Sequence, residues 1–292
     1  MASKIFVLTG GTSGIGKALA LDLAKTGETL VLIARDVDRG NAVRQELTDT
    51  TQNQNVDMQL CDLSILSSVR NLAEILKSKY EKIDVLINNA GVYKRKRAVT
   101  VDGFEVMFAA NHLGPFLLTN LVLELLQAAV QVSGSARILN ITAPSTVALN
   151  FDDLHGERNF NSLNALGASK MANLLFTFEL ARRLENTGIT VNAIHPGLAR
   201  SGLMKEGFFL MRLLTRLASP PPEKVTGSIL QAAVAPEFEK TTGKFLHNGK
   251  ELEAPAYAHD RAAQQRLWEV SETLSGLAAT KGVTPINDPH LK

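Results

Sequence analysis

Cysteine is almost missing from this chain. Cys61 stands alone, which excludes an internal disulfide framework and a cysteine-built zinc cluster, and fits a reducing, cytoplasmic setting. Metal-ligand spacing of histidines is missing too, so no metal is expected. Charge of either sign is in short supply as a net quantity. The 31 basic and 29 acidic side chains leave +2, too weak a field to draw the protein to nucleic acid or anionic lipid. No apolar run approaches the roughly 20 residues that span a bilayer. Met1 to Leu8 leads directly into a glycine-rich loop, without the basic region and cleavage site of a signal peptide. The expectation is a soluble protein that takes a small molecule, with no nucleic-acid or membrane partner. Tyrosine is scarce as well: Tyr80, Tyr93 and Tyr257 are the only phenols available for chemistry.

What is present is enough for one large core, with 45% hydrophobic residues in 292. No repeat, low-complexity tract or flexible linker divides the chain, so residues 1–292 read as a single domain. Ser219-Pro220-Pro221-Pro222 is a local break. The preceding Phe208–Ala218 has an amphipathic helical pattern that suits packing on the body, covering a pocket or lying on a partner. A substrate lid is expected over about 198–222, and a flexible tail over about 275–292.

Strand-length apolar runs alternate with helical segments. Ile5–Leu8, Thr29–Ala34, Val56–Leu60, Val85–Asn88, Ala136–Ile141, Thr190–Ile194 and Lys244–His247 read as strands. Gly16–Thr26, Val37–Thr50, Ile65–Tyr80 and Ala168–Asn186 read as helices, the last with Glu179, Arg182, Arg183 and Glu185 on its polar side. Gly103–Leu126 reads as one long helix interrupted near Gly114-Pro115. The alternation implies an α/β, Rossmann-type doubly wound parallel sheet of about seven strands with helices on both faces.

Between the first strand and first helix lies Thr9-Gly10-Gly11-Thr12-Ser13-Gly14-Ile15-Gly16. Glycines there let the backbone turn sharply and approach a pyrophosphate, while helix-terminal N–H groups face the anion. Taken alone the loop also reads as an ordinary strand-to-helix turn, and its placement after the first strand strengthens the phosphate reading. At the end of the second strand, Arg35 occupies the place where NAD-preferring domains offer a carboxylate to the adenosine ribose. A guanidinium suits a 2′-phosphate, so NADP(H) is favoured over NAD(H), although Asp36 beside it is able to serve a diol.

With these motifs in order, the chain resembles the short-chain dehydrogenase/reductases over nearly its whole length. The resemblance makes Gly10, Thr12, Ser13, Gly14, Ile15 and Gly16 a cofactor loop, and Asp62-Leu63 an adenine-contacting pair. Asn88-Asn89-Ala90-Gly91 matches the motif after strand four, in which Asn89, Ala90 and Gly91 line the cofactor. Asn111, Lys170 and Pro196-Gly197 match further family positions. Asp102-Gly103-Phe104-Glu105, Asn111 to Thr119, Ser169 to Leu184 and Gln265-Arg266-Leu267-Trp268 resemble the retinol-dehydrogenase-like and WW-domain oxidoreductase-like members. Family members often pair through two long helices, so a homodimer or homotetramer using Ala172, Leu175, Phe176 and Leu180 is one expectation; burial against the sheet explains the same stripe.

The family's catalytic set implies a tyrosine four residues before Lys170 and a serine after strand five. Those positions hold Leu166 and Ala143. Leucine has neither a proton to give nor a lone pair to accept one. Substitutes offered by the sequence are Tyr93 just beyond the Asn88-to-Gly91 motif, the hydroxyls of Thr142 and Ser145 flanking Ala143, and His112; His155, without a motif around it, is expected to face solvent. Lys94-Arg95-Lys96-Arg97 reads as a solvated basic loop. Three functions fit these residues: an NADP(H)-dependent oxidoreductase using a substitute acid or none; a non-redox cyclase, isomerase or lyase on the same scaffold; and a catalytically silent NADP(H)-binding protein that acts through a partner.

Overall fold

The computed structural model describes residues 3–197 and 220–277. The helix expected over Phe208–Ala218, most of the expected lid over 198–222 and most of the expected tail over 275–292 therefore lie outside the described residues.

One sheet runs in the order β3-β2-β1-β4-β5-β6-β7-β8. Its strands are β1 (Ile5–Thr9), β2 (Thr29–Ala34), β3 (Val56–Leu60), β4 (Val85–Asn88), β5 (Ala136–Ile141), β6 (Ile189–His195), β7 (Lys244–His247) and β8 (Lys250–Glu251). Adjacent strands from β3 to β7 pair in parallel, and β8 adds an antiparallel edge to β7. That eighth strand exceeds the expected seven. It follows from Asn248-Gly249, whose φ values of 49° and 74° form a tight two-residue hairpin turn.

Alternation along each strand explains the two cores. In β1, Val7 faces one way and Phe6 and Leu8 the other, and β2 repeats this with Val31 and Ile33 against Leu30 and Leu32. Helices α1 (Gly14–Ala24), α2 (Val37–Thr51) and α7 (Gly227–Val234) cover the face of Phe6. The opposite face is covered by α3 (Leu66–Lys79), α4 (Val106–Leu121), α5 (Leu123–Ser133), α6 (Ser162–Arg183) and α8 (Arg261–Ser275).

Three helical expectations need correction. The break expected near Gly114-Pro115 falls at Val122, where the chain bends by 54° between α4 and α5. Residues Ala109–Leu113 of α4 form a π-helical turn, and Pro115 sits in the first turn beyond it, where a missing N–H costs least. Helix α6 starts at Ser162, six residues before the expected Ala168, because Asn161 caps it by accepting from the N–H groups of Leu163 and Asn164. Glu179, assigned to a polar face, is buried and held by Arg182 and Arg183. No single helix among the described residues is long and apolar enough to cross a membrane.

Candidate active site

The phosphate loop is shaped by close contacts that only glycine permits. A Cβ on Gly10, where φ is +70°, would lie 2.8 Å from the Ala90 Cα. One on Gly16 would lie 2.2 Å from the Gly10 carbonyl oxygen and 2.5 Å from the Asn89 amide nitrogen. The second motif braces the first. The Asn89 side chain donates to the Thr9 and Gly10 carbonyls, and the Thr9 hydroxyl accepts from the Asn89 and Ala90 N–H groups. Ser13 occupies the cap position of α1 but its side chain makes no capping bond. Thr12, Ser13, Gly14 and Ile15 are half-buried, and Gly91 is exposed beside them. The helix thus presents its first N–H groups between the carboxyl ends of β1 and β4, where strand order reverses and open α/β sheets bind ligands. A dinucleotide's pyrophosphate fits this cradle.

At the adenine end, Arg35 is exposed just after β2, and Arg39, not singled out from the sequence, is exposed in the first turn of α2. Asp36 is committed as the cap of α2, accepting from the Arg39 N–H at 2.9 Å. Asp62 turns its carboxylate onto Ser64, through the N–H at 2.9 Å and the hydroxyl at 2.7 Å. The Leu63 side chain is buried in the core, while its carbonyl lies so close to α4 that a Cβ on Gly114 would meet it at 2.1 Å.

The other end of the site is built on α6. Ser162, Leu166 and Lys170 recur every four residues and share one helix face. Lys170 is half-buried, and desolvation pushes its ammonium down to about 8. Asn111 lies in the π-helical turn and is fully engaged: its oxygen accepts from Val92 N–H at 2.7 Å, and its amide donates to the Val92 carbonyl and to Ser169, both at 3.0 Å. Ser169, missed by sequence reasoning, passes that chain of bonds to the Leu166 carbonyl at 2.8 Å. Its i±3 neighbours Leu166 and Ala172 are apolar, so no local pattern marked it, and only the fold shows what it meets.

The substitute hydroxyls are placed unequally. Tyr93 is buried and its hydroxyl sits 3.0 Å from that of Ser162. Ser162 precedes Lys170 by eight residues, about 12 Å along a helix axis, so Tyr93 is not brought beside the ammonium. Thr142 spends its proton on the Lys170 carbonyl at 3.0 Å. Ser145 accepts from the Val147 N–H at 3.2 Å and lies against Gly167, where an added Cβ would approach its oxygen to 3.1 Å. Its own proton has no acceptor among the described residues. Ala143 is half-buried just before it.

His112 points away from the site, 2.8 Å from the Ser271 hydroxyl of α8, and complete burial pushes its imidazole down to about 3. His155, expected in solvent, is instead half-buried against Phe104 and Phe108, with Nδ1 accepting weakly from the Glu105 N–H at 3.4 Å. In the basic loop Arg95 and Lys96 are exposed, but Arg97 is half-buried and donates to the His155 carbonyl at 2.8 Å. Pro196 is buried after β6, and Gly197 turns the chain with φ +83°.

A doubly wound sheet with a glycine cradle at its switch point and a lysine on the flanking helix defines a nucleotide-dependent oxidoreductase scaffold, and the comparisons agree. The pattern described as short chain dehydrogenase matches residues 4–208, and the chain belongs to the short-chain dehydrogenase/reductase family, whose members bind nicotinamide cofactors and act on small molecules. Within that family it falls in the retinol-dehydrogenase-like branch. Retinol dehydrogenase 12 of Mus musculus is 38% identical over 279 residues, covering 94% of this chain and 87% of that protein. Retinol dehydrogenase 13 of Homo sapiens is 39% identical over 288 residues, covering 94% and 86%. Among solved structures, an uncharacterised protein of Mycobacterium paratuberculosis is 31% identical with a TM-score of 0.73, covering 94% of this chain and 93% of that one.

Proposed function

We propose that this chain is an NADP(H)-dependent oxidoreductase for a small, apolar substrate, working without the tyrosine and serine that its family uses. The observation that carries the reading is the shared edge. The uncapped α1 terminus and its glycine cradle open at the carboxyl end of the sheet, and the half-buried Lys170 ammonium stands at that end with Leu166 one turn before it. The nicotinamide supplies hydride chemistry when bound. The chain's own residues bind and orient: the cradle takes the pyrophosphate, Lys170 the ribose hydroxyls, and Leu166 lends an apolar wall that excludes water. Ser145 is the hydroxyl left to polarise a substrate oxygen.

Preference for the phosphorylated cofactor is supported by the division of labour after β2. Asp36 is occupied as a helix cap, which leaves Arg35 and Arg39 to meet a 2′-phosphate. Calorimetric titration is the test. NADPH should bind at least about 10-fold tighter than NADH, since a hydrogen bond to a charged group contributes about 1.5–3 kcal/mol, and Arg35→Ala should erase the difference. Equal affinities would remove the NADP(H) assignment, and binding of neither would remove the whole reading. Turnover of carbonyls and activated alkenes, compared with the L166Y/A143S double variant, then shows which chemistry the leucine site favours.

A further inference from the structure

The face of α6 that carries Lys170 continues outward to the start of the helix. Leu163, Leu166 and Lys170 recur at i, i+3 and i+7 and fall on one stripe, with Leu163 about 10 Å along the helix axis from Lys170. The inner end of the stripe is polar, because Ser145 lies against Gly167 between Leu166 and Lys170. Its middle and outer end are apolar. Leu166 is half-buried and Leu163 is 49% exposed, so an alkyl chain laid along this face would take leucine surface out of water.

Beyond Leu163 the rim is basic. Tyr93 is fixed against the first turn of α6 through its hydroxyl, 3.0 Å from that of Ser162, and the chain then reaches the surface at Arg95 and Lys96. Arg97 turns back to the loop after β5, donating to the His155 carbonyl at 2.8 Å and pairing with Glu157 at 3.4 Å. That contact sets Lys96 and Arg158, each the chain neighbour of one member, on the same rim, and both are exposed. The other acids of these two segments are engaged. Asp153 accepts from the Glu157 and Arg158 N–H groups, Asp152 pairs with Arg266, Asp102 accepts from the Leu66 N–H and Glu105 from the Phe108 N–H. The rim keeps a surplus of positive charge on a chain that is nearly neutral as a whole.

From this arrangement we infer that the substrate is amphipathic: its alkyl chain lies on Leu166 and Leu163, and an anionic group, carboxylate or phosphate, at the end remote from the reacting carbon is held by Lys96 and Arg158. The inference rests on the oxidoreductase reading above and narrows its apolar substrate to one with a charged tail. The reacting oxygen lies near Ser145, and the anion about 10 Å away, the span of the stripe. Charge fixes which way round the molecule enters. The anion stays at the solvated rim, where it keeps most of its hydration, while the uncharged reacting end passes between the leucine wall and the nicotinamide.

Binding to the whole chain saturated with NADPH, where an alcohol finds no hydride acceptor, tests this apart from turnover. The probes are 10-hydroxydecanoate, its methyl ester, which keeps the length and removes the charge, and 10-hydroxydecyl phosphate. In calorimetry at low salt, the better of the two charged probes should bind about 5-fold tighter than the ester, the upper range for an exposed charge pair, and that probe names the anion. High salt should narrow the gap. A Lys96→Ala/Arg158→Ala double variant should bring the charged probe down to the affinity of the ester. An ester that binds as tightly as both charged probes, binding of none of the three, or a preference that survives the double variant would overturn the inference while leaving the cofactor reading intact. Failure of wild-type protein to bind NADPH would overturn both.

Discussion

Lys170 illustrates how one side chain stands at odds with its own surroundings. Its folded value of about 8 lies below the ordinary 10.5, so between those limits the unfolded chain holds a proton that the folded chain does not. Stability therefore rises with pH across that window, and the penalty is complete at neutral pH. Lys170→Met should raise stability at pH 7 by an amount on the order of 1 kcal/mol, discounted for partial exposure, and should weaken NADPH binding about 10-fold. Paired urea melts and titrations measure both. A variant that loses stability as well as affinity would make Lys170 a structural residue.

His112 shifts in the same direction with a different consequence. Its imidazole falls from 6.5 to about 3 on burial among Phe108, Phe116 and Phe176. Below pH 6.5 the unfolded state takes up a proton that the native state refuses, so stability is full above that pH and declines by about 1.4 kcal/mol per unit toward pH 3. His112→Leu should flatten that share of the acid slope in urea unfolding between pH 7 and 4. An unchanged slope would assign acid sensitivity to other groups.

At the scale of elements, local signals were readable wherever a short stretch decides its own conformation. The parallel strands are such cases, because β1, β2, β4 and β5 are mostly apolar runs and β3 alternates apolar with polar residues. The Asn248-Gly249 hairpin was equally open to reading, although β8 is only two residues long. Helix α6 shows the limit. Its Gly167 would end many helices, yet here it lies inside one because Ser145 and Val147 occupy the space a Cβ would need. The start at Ser162 depends on Asn161 as cap and on the loop after β5 folding beneath it. The π-helical turn has no pattern of its own in the sequence; it appears where Asn111 must reach both backbone groups of Val92.

At the scale of the whole molecule, helix α8 closes the aromatic cluster on one face of the sheet. Trp268 lies 5.0 Å from Phe116 of α4, edge on, and 6.1 Å from Phe176 of α6, with the Arg183 guanidinium 4.1 Å above its ring. Ala172, Leu175, Phe176 and Leu180 are all buried, so the stripe that sequence offered for pairing with a second copy is not a free surface. Trp268→Ala should cost about 3–5 kcal/mol and loosen α8 from that stripe, with urea unfolding reporting the loss and size-exclusion chromatography any new association. A cost below 1 kcal/mol would mean that α8 adds little to the fold.

The sequence by itself determined the sheet, the glycine cradle and the absence of a hydroxyl at residues 143 and 166, because strand period, backbone permissiveness and side-chain chemistry are properties of single residues and near neighbours. Tertiary structure alone decided which groups are spent and which are left over. It committed Asp36 to a helix cap, tied Tyr93 to Ser162 and turned His112 into the core. A hydrogen-bond partner is fixed by where distant segments pack, and no local pattern in the chain encodes that.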